Sequence, residues 1–329
     1  MTSIFPHLHL LPSGEGAILV ATGGTELGRI QEQLHLNHLS REGFLRLADY
    51  IINAMELRHV YFGRRTPSPG HGQIEMHPAF IFDVPLSGEK HLSWGDAAGV
   101  CERILPPGEV LLCEPLAWKL PSWDRPHELC CFVFREEYIR LTYVDIPAPL
   151  PPGSRPVCSC FFHSQLPPSD SIRNLLHCLA EQGRNGDPGG AMPDLARGLF
   201  RLTLARLKED SPPPEGKATR NYERIRQYLQ ENFRSPITRE SVAEQFHLHP
   251  GYLSRLFTAR GENFSTVLRD LRMDHAALLL RNTELLVDEI ADQCGYQSTT
   301  FFTAVFRNRF GVPPGKYRCL HFEETSHQT

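Results

Sequence analysis

Residues 295–318 read GYQSTTFFTAVFRNRFGVPPGKYR, and they follow the same plan as an earlier stretch, residues 242–257, VAEQFHLHPGYLSRLF. Counted from residue 242 in the first copy and from residue 290 in the second, each copy has a small alanine, a short turn and then a helix-like segment with two large apolar residues four positions apart. The matching pairs are Ala243 and Ala291, Leu253 and Phe302, Phe257 and Phe306, and Gly261 and Gly311. This pattern predicts two helix-turn-helix units in one chain.

Residues that begin and end helices stand where these two units need them. Thr238 is placed to cap the first helix of the first unit, and Pro250 is tolerated at the start of its second helix. In the second unit, Gly295 allows the turn and Ser298 is a good N-cap. The Gly-Val-Pro-Pro run 311–314 then stops the last of these helices.

A long amphipathic segment from Phe264 to about Arg281 separates the two units. As a single helix it would hold them at a fixed distance, so that both second helices could enter successive major grooves of one duplex. The second helices carry mostly short polar residues on the face left over from their apolar anchors. That face suits a groove just wide enough for one helix.

The charge distribution agrees with a DNA-binding C-terminal part. Residues 217–318 carry 15 Lys/Arg and 11 Asp/Glu, a net of +4, whereas the rest of the 329-residue chain has a net of -8. A proline run within residues 211–219 predicts a linker. We therefore expect a domain at 1–210 and a DNA-binding domain at 220–320, with its two helix-turn-helix motifs at about 238–260 and 287–310.

The region before the linker has a different texture, and the fold class expected for the whole chain is α+β. Residues 26–60 have helical periodicity, a small β-barrel is predicted at about 62–165, and a helical hairpin is predicted at 170–209. The predicted strands are residues 74–77, 79–86, 90–94, 109–115, 129–134 and 138–146. Pro-Gly-type turns separate them, which is typical of barrels and sandwiches.

Composition favours a protein of the reducing cytoplasm. No apolar run approaches the ~20 residues that cross a bilayer, and the N-terminus lacks the features of a signal peptide. The nine cysteines show no repeated Cys-x-x-Cys spacing. Cys130, Cys131, Cys158 and Cys160 lie in apolar runs and are expected to be buried, reduced thiols.

The C-terminal hundred residues resemble the AraC/XylS family of transcription regulators. The resemblance covers about residues 220–318 and is carried by SVAEQFHLHPGYLSRLF, LRDLRMDHAALLL, VDEIADQCGYQSTTFF and FRNRFGVPPGKYR. It implies double-stranded DNA as a partner, a homodimer and contact with RNA polymerase, and it leaves activation and repression both open. The family often has arginine where this chain has Ala304, which implies weaker guanine reading by the second unit.

The predicted DNA-contacting residues lie on the second helix of each unit. Those of the first unit are Pro250, Gly251, Ser254, Arg255 and Thr258, and those of the second are Gln297, Ser298, Thr299, Thr300 and Thr303. Arg255 is the strongest candidate for reading a base, since a guanidinium binds guanine through two hydrogen bonds. Arg307, Arg309 and Lys316 are predicted to contact phosphates, which positions the protein without specifying sequence.

The strand region is similar, more loosely, to the cupin-like barrels with which many AraC-type regulators sense a small molecule. The resemblance rests on residues 77–88 and 105–115 and implies an effector site and no cofactor. Aromatic faces suit a sugar or a planar ligand, so the expected lining residues are His77, Phe80, Trp94, Trp118 and Trp123. The 170–209 hairpin resembles the family's dimerisation helices; packing against the barrel is the other interpretation.

Two other functions stay open at the level of sequence. His71, Glu75 and His77 could belong to a metal-dependent cupin enzyme, although no histidine follows near residues 116–122, where such a site would need its last ligand. The chain could also be a constitutive DNA-binding protein whose barrel senses nothing. No phosphate-binding glycine loop or nucleophile elbow is present, and we expect a regulator and no enzyme.

Overall fold

A computed structural model describes residues 41–157, 160–210 and 216–326. The first part holds α1 (Arg41–Asn53), β1 (His59–Gly63), β2 (Glu75–Met76), β3 (Phe80–Gly88), β4 (Lys90–Asp96), β5 (Gly99–Leu105), β6 (Glu109–Cys113), β7 (Trp118–Pro121), β8 (His127–Phe134), β9 (Ile139–Ile146) and β10 (Cys160–His163). The helices that follow are α2 (Asp170–Arg184), α3 (Met192–Glu209), α4 (Lys217–Asn232), α5 (Arg239–Gln245), α6 (Pro250–Thr258), α7 (Phe264–Asn282), α8 (Val287–Gln293), α9 (Thr299–Phe310) and α10 (Pro314–Ser326). None of these helices is long and apolar enough to cross a membrane.

The strands form two facing sheets, and the α+β fold class is confirmed. The larger sheet has the order β1-β6-β3-β8-β9-β10, and the smaller has the order β2-β7-β4-β5. The predicted small β-barrel is open, because no hydrogen-bonded ladder among the described residues runs from one sheet into the other. Strand β5 ends the smaller sheet as an edge, with Val100 and Ile104 exposed.

Alternation along β3 makes the larger sheet the middle layer of the first part. Phe82 and Val84 pack with the apolar faces of α1, α2 and α3. Ile81 points to the opposite side, towards the smaller sheet. Helix α2 approaches β1 so closely that the ring of Phe62 occupies the space a side chain at Gly183 would need.

Most leucine side chains of the helical hairpin are buried within the protein. Leu176, Leu179, Leu199 and Leu204 are buried in the core that α2 and α3 share with the larger sheet. On α3, Leu202 is 39% exposed. The apolar stripe that suggested a dimer contact is thus accounted for mainly by packing on the sheet, the second of the two interpretations.

Several elements differ from the sequence prediction. Strand β1 occupies the end of the stretch 26–60 that was predicted to be helical, and residues 26–40 of that stretch lie outside the described residues. Strands β5, β7 and β10 were not predicted, because they are short or carry exposed charges. Helix α4 begins at Lys217, inside the stretch 211–219 predicted as a linker, of which residues 211–215 are not described.

The predicted helix caps of the two helix-turn-helix units are confirmed. Thr238 accepts a hydrogen bond from the Ser241 amide at 3.1 Å, and the Ser241 hydroxyl accepts one from the Thr238 amide at 2.9 Å. Ser298 caps α9, and Gly311 ends it in a left-handed conformation with φ of 78°. His249, which was not predicted, caps α6 by accepting from the Gly251 amide at 3.1 Å.

Helix α7 carries both helix-turn-helix units on one rod. Phe264 and Leu268, near its start, are buried with Leu253 and Phe257 of α6. Further along, Met273, Ala276, Leu279 and Leu280 are buried with α8 and α9. This second core also contains Ile74, Met76 and Trp118 of the sheet region, so the second unit is packed against the two-sheet sandwich.

Two phenylalanines of α9 provide a matched test of this arrangement. Phe306 is fully buried, whereas Phe301 is 63% exposed. Phe306→Ala is expected to lower the free energy of unfolding by about 3–5 kcal/mol, since it removes a ring from a closed core. Phe301→Ala is expected to change it by less than about 0.5 kcal/mol. Urea unfolding of the full chain measures both; equal losses would contradict the orientation of α9.

Candidate nucleic-acid interface and ligand cavity

Helix α6 exposes its polar face to solvent because its apolar face is buried in the core. Leu253, Leu256 and Phe257 are buried. Arg255 is exposed, and its guanidinium carbon lies 5.8 Å from the centroid of the Tyr252 ring. Within the described part of the chain, no carboxylate forms an ion pair with Arg255. This cation is therefore available to an anionic or hydrogen-bonding partner.

The other predicted contacts of α6 differ in how accessible they are. Gly251 and Thr258 are exposed, and Pro250 and Ser254 are half-buried. The Ser254 hydroxyl donates to the Pro250 carbonyl oxygen at 3.2 Å, and the Thr258 hydroxyl donates to the Ser254 carbonyl oxygen at 3.0 Å. Because both hydroxyls donate their hydrogen to a carbonyl oxygen of the same helix, they could act only as acceptors towards a DNA base.

Helix α9 offers a second polar surface at its first turn. Gln297, Thr299 and Thr300 are exposed, and Thr303 is half-buried. The Ser298 oxygen accepts from the Phe301 amide at 3.3 Å, so this side chain is occupied with capping. Phe301 was missed by sequence reasoning. The signal was its phase, because Phe302 and Phe306 fill the core and leave Phe301 about 100° away on the helix.

The three predicted phosphate contacts are not equivalent. Arg307 and Lys316 are exposed and form no ion pair among the described residues. Arg309 differs, because its side chain lies 3.9 Å from Asp270 and 3.6 Å from Asp274, both on α7. A phosphate would have to compete with two carboxylates for Arg309, which weakens that prediction.

A cavity of about 110 Å³ lies between the two sheets and is closed at one end by the C-terminal turn of α4. The sheets contribute Ile81, Leu129 and Val133 to its apolar wall. The end of α4 and the residues after it contribute Gln230, Glu231, Phe233, Arg234 and Ser235. The cavity thus joins the sandwich to the helix that leads into the first helix-turn-helix unit.

Of the five predicted effector contacts, the structure brings two together. His77 and Trp123 line the cavity. Trp94 and Trp118 are fully buried in packed cores, and Trp118 donates its indole hydrogen to Thr66 at 3.0 Å and to the Pro67 carbonyl at 3.1 Å. Phe80 packs with the helix-covered side of β3. Phe80, Trp94 and Trp118 lie outside the lining of this cavity, because strand alternation and packing turn them away from it.

Glu75 is the centre of a buried basic cluster. Its carboxylate lies 3.6 Å from Lys119, 3.3 Å from Arg155 and 3.9 Å from Arg234. Burial alone would raise the pKa of Glu75, but the attraction of these three cations outweighs it and lowers the pKa to about 2. Lys119 also pairs with Asp83.

The same cluster argues against a metal at the predicted set of His71, Glu75 and His77. His71 is exposed, and the cations around Glu75 would repel a metal ion. Burial, together with nearby arginines, lowers the pKa of His77 well below its usual range. Within residues 41–157, 160–210 and 216–326, no group of three His, Cys, Asp or Glu is arranged to hold a metal ion.

Glu231 fastens α4 to the larger sheet. It lies 3.0 Å from Arg140 of β9 and 3.3 Å from His163 of β10, and the Thr142 hydroxyl donates to it at 3.4 Å. Burial would raise the pKa of Glu231, but Arg140 and His163 hold it below the usual range. A buried ion pair of this kind is costly to break from one side.

Lys90 is a buried cation with an incomplete set of partners. It is 0% exposed, donates to the Ser122 carbonyl oxygen at 2.7 Å and lies 3.3 Å from the centroid of the Trp123 ring. No carboxylate forms an ion pair with it in the described parts of the chain. Burial lowers the pKa of Lys90 to about 7, although Asp83 and Glu75 attract its charge.

Sequence reasoning missed Lys90, although a signal was present. Alternation in KHLSW places Lys90 on the same side of β4 as Leu92 and Trp94, which are buried. A lysine in phase with two core residues indicates an inward-facing charge. Asp83 gives the same signal in β3, where it is in phase with Ile81.

Lys90 makes the stability of the protein depend on pH in a defined direction. Its pKa falls from 10.5 in the unfolded chain to about 7 in the fold, so between these values the unfolded state binds more protons and stability rises with pH. As the pH rises through this window, the free energy of unfolding of the wild type should increase relative to that of Lys90→Met by up to about 1.4 kcal/mol per pH unit. Urea unfolding of both proteins at several pH values measures this; parallel curves would refute the buried charge.

Comparison with known proteins places this geometry in a family. A helix-turn-helix domain model matches residues 242–319, a range that includes α6 and α9. A solved structure similar to part of the chain is the C-terminal domain of AraT, a response regulator from Geobacillus stearothermophilus. It is 39% identical, covers 32% of this chain and 88% of that domain, and has a TM-score of 0.31.

Two relatives match along most of their length. YpdC of Escherichia coli (strain K12), an HTH-type transcriptional regulator, is 28% identical over 274 residues, or 81% of this chain and 91% of YpdC. YijO, from the same organism and also an HTH-type transcriptional regulator, is 40% identical over 277 residues, or 83% of this chain and 92% of YijO. The match extends far beyond the helix-turn-helix region, and this chain belongs to the AraC/XylS family of DNA-binding transcription regulators.

Proposed function

We propose that this regulator reads a specific double-stranded DNA site with α6 and α9, and that a small molecule in the cavity controls its affinity for that site. The observation that carries the proposal is the division of each of these two helices. One face is buried in a core built on α7, and the other is exposed, with Arg255 and Thr258 on α6 and Thr299 and Thr300 at the start of α9. Both exposed faces belong to helices held by a common rod.

In this proposal each exposed side chain has a defined role. Arg255 donates two hydrogen bonds to a guanine in the major groove, which is the commonest specific contact between protein and DNA. Gln297, Thr299 and Thr300 meet base edges in the next groove. Arg307 and Lys316 contact phosphates and so position the helices. Pro250, Gly251, Ser254, Thr258, Ser298 and Thr303 lie along the same two surfaces, with Arg309 held back by its ion pairs.

The length of α7 supports reading of one DNA face. Its 19 residues span about 28 Å. Successive major grooves on one face of B-DNA recur every ~34 Å. A rod of comparable length suits two helices that enter neighbouring grooves, and linking them in one chain makes the second contact intramolecular.

The proposal extends to location and assembly. A regulator of this family works in the cytoplasm, where its DNA and RNA polymerase are. A homodimer is part of the proposal because symmetric dimers are the commonest protein assemblies. Leu202, exposed on α3, is an apolar residue that such a contact could cover. Sedimentation of the full chain, with Leu202→Glu as the comparison, tests the dimer.

DNA affinity is expected to fall steeply with salt. Selection from a random DNA library by the full-length protein would supply a site, and fluorescence anisotropy would measure its affinity. Two phosphate contacts, from Arg307 and Lys316, predict at least about a tenfold loss of affinity between about 50 and 200 mM salt. A flat response, or failure to select any sequence, would overturn the proposed function.

Arg255→Ala separates reading of bases from general attraction to DNA. Affinity for the selected site should fall by about 5- to 150-fold, the equivalent of ~1–3 kcal/mol, with a much smaller change on non-specific DNA. Arg103→Ala removes the same charge from the exposed edge strand β5 and should leave both affinities unchanged. Equal losses on both DNAs for Arg255→Ala would assign Arg255 to a phosphate.

A further inference from the structure

The cavity between the sheets and α4 has more basic than acidic side chains. Five basic residues and three carboxylates line it. The basic residues are Lys90, Lys119, Arg140, Arg155 and Arg234, and the acidic ones are Glu75, Asp83 and Glu231. Since isolated charges are costly to remove from water, an excess of buried cations needs an explanation.

The three carboxylates are already engaged with specific cations. Asp83 pairs with Lys119, and Glu231 pairs with Arg140. Glu75 is shared among Lys119, Arg155 and Arg234. No carboxylate in the described structure is left over for Lys90.

Two residues that line this cavity, Lys90 and Arg155, have unused hydrogen-bonding capacity. The ammonium group of Lys90 has one carbonyl oxygen and one aromatic face as its contacts, although it carries three hydrogens. The Nη2 atom of Arg155 is buried and has no hydrogen-bond acceptor among the described residues. Both groups would be satisfied by an acidic group of a ligand.

We propose that this cavity binds a small organic anion, with its acidic group held by Lys90 and Arg155 and its remainder against Trp123 and the apolar wall. This inference deepens the proposed function and rests on it. It assigns a charged effector in place of the neutral sugar that the aromatic residues suggested. Leu129, Val133 and Val144 provide the apolar wall, so the site suits an organic acid better than an inorganic ion.

The size of the cavity limits the ligand. A volume of about 110 Å³ has room for roughly seven to eleven water-sized groups, at ~10–15 Å³ each. The ligand is therefore a molecule of about ten non-hydrogen atoms. Short hydroxy acids and small phosphate esters are in this range, and both present an anionic oxygen group to lysine and arginine.

The position of Arg234 connects the ligand to the DNA-binding helices. Arg234 lies just after α4 and contacts Glu75 of the sandwich at 3.9 Å, so an anion beside it competes with Glu75. The neighbouring carbonyl oxygens of Phe233 and Ser235 accept hydrogen bonds from Arg272 of α7 at 2.7 and 3.1 Å. Since α7 carries both recognition units, a ligand that favours one placement of Arg234 also favours one placement of α7.

Ligand binding is tested on the full-length protein without DNA, by thermal unfolding and calorimetric titration. The probes are glycerate, malate and glycerol 3-phosphate, with the neutral erythritol and arabinose as controls of similar size. At least one acid should bind and raise Tm, because a ligand bound only by the folded state stabilises it. If malate binds and glycerol 3-phosphate does not, the ligand is a carboxylate. If glycerol 3-phosphate binds and malate does not, the ligand is a phosphate ester.

Variants locate the bound anion. Lys90→Met and Arg155→Gln should each lower the affinity of the protein for the acid by at least about tenfold, which corresponds to the loss of roughly one charged hydrogen bond. Lys208→Met, which removes an exposed lysine of α3, should bind as wild type does. Binding of none of the three acids, equal binding of acids and neutral polyols, or unchanged affinity in both cavity variants would overturn the proposal.

Coupling to DNA is tested with the bound acid and the selected DNA site. The acid should change the Kd for DNA by about 5- to 150-fold, and DNA should change the Kd for the acid by the same factor. Arg224→Met, on α4 outside the cavity, should keep this factor. An acid that binds without changing DNA affinity would overturn the coupling and leave the ligand site standing. A protein that binds no specific DNA site, either with or without the acid, would refute the proposed function instead.

Discussion

Glu231 of α4 lies 3.0 Å from Arg140 of β9, and this buried ion pair is the contact on which the relation between the sheets and the helical region depends. Around it, Glu75 gathers cations from the sandwich and from Arg234. Leaving one of these buried charges without its partner would be costly, so the ion pairs fix the position of the helical region relative to the sandwich. The cavity lies within this network, so the proposed ligand would act directly on the contacts between the two parts.

In the helical region, α6 and α9 expose polar faces and must still be held in fixed positions. A short helix is marginal in water by itself, so α6 and α9 must be held from behind. Phe257 and Phe306 do this from separate cores, one built on the start of α7 and the other on the rest of that helix. The surfaces that meet DNA can then be polar and exposed because they contribute little to the stability of their own helices.

The cavity and the helical region are connected at the end of α4. Arg272 of α7 binds the carbonyl oxygens of Phe233 and Ser235, and these flank Arg234 at the cavity. In the proposed mechanism, a charged ligand and a DNA site would therefore both act on α7, the ligand through Arg272 and the DNA through α6 and α9. In this proposal the free energy that couples the two sites would come from ion pairs that the ligand exchanges and would need no large rearrangement of the sandwich.

The sequence by itself determined the two helix-turn-helix units, their caps at Thr238 and Ser298, the strand-rich region and the family. These features depend on local periodicity and on residues near in the chain. Only the tertiary structure decided that the strands form two sheets, that Trp94 and Trp118 are core residues, and that Lys90 faces a cavity. The charges there come from β2, β4, β9 and the end of α4, and no local pattern reveals which distant side chains will share one buried space.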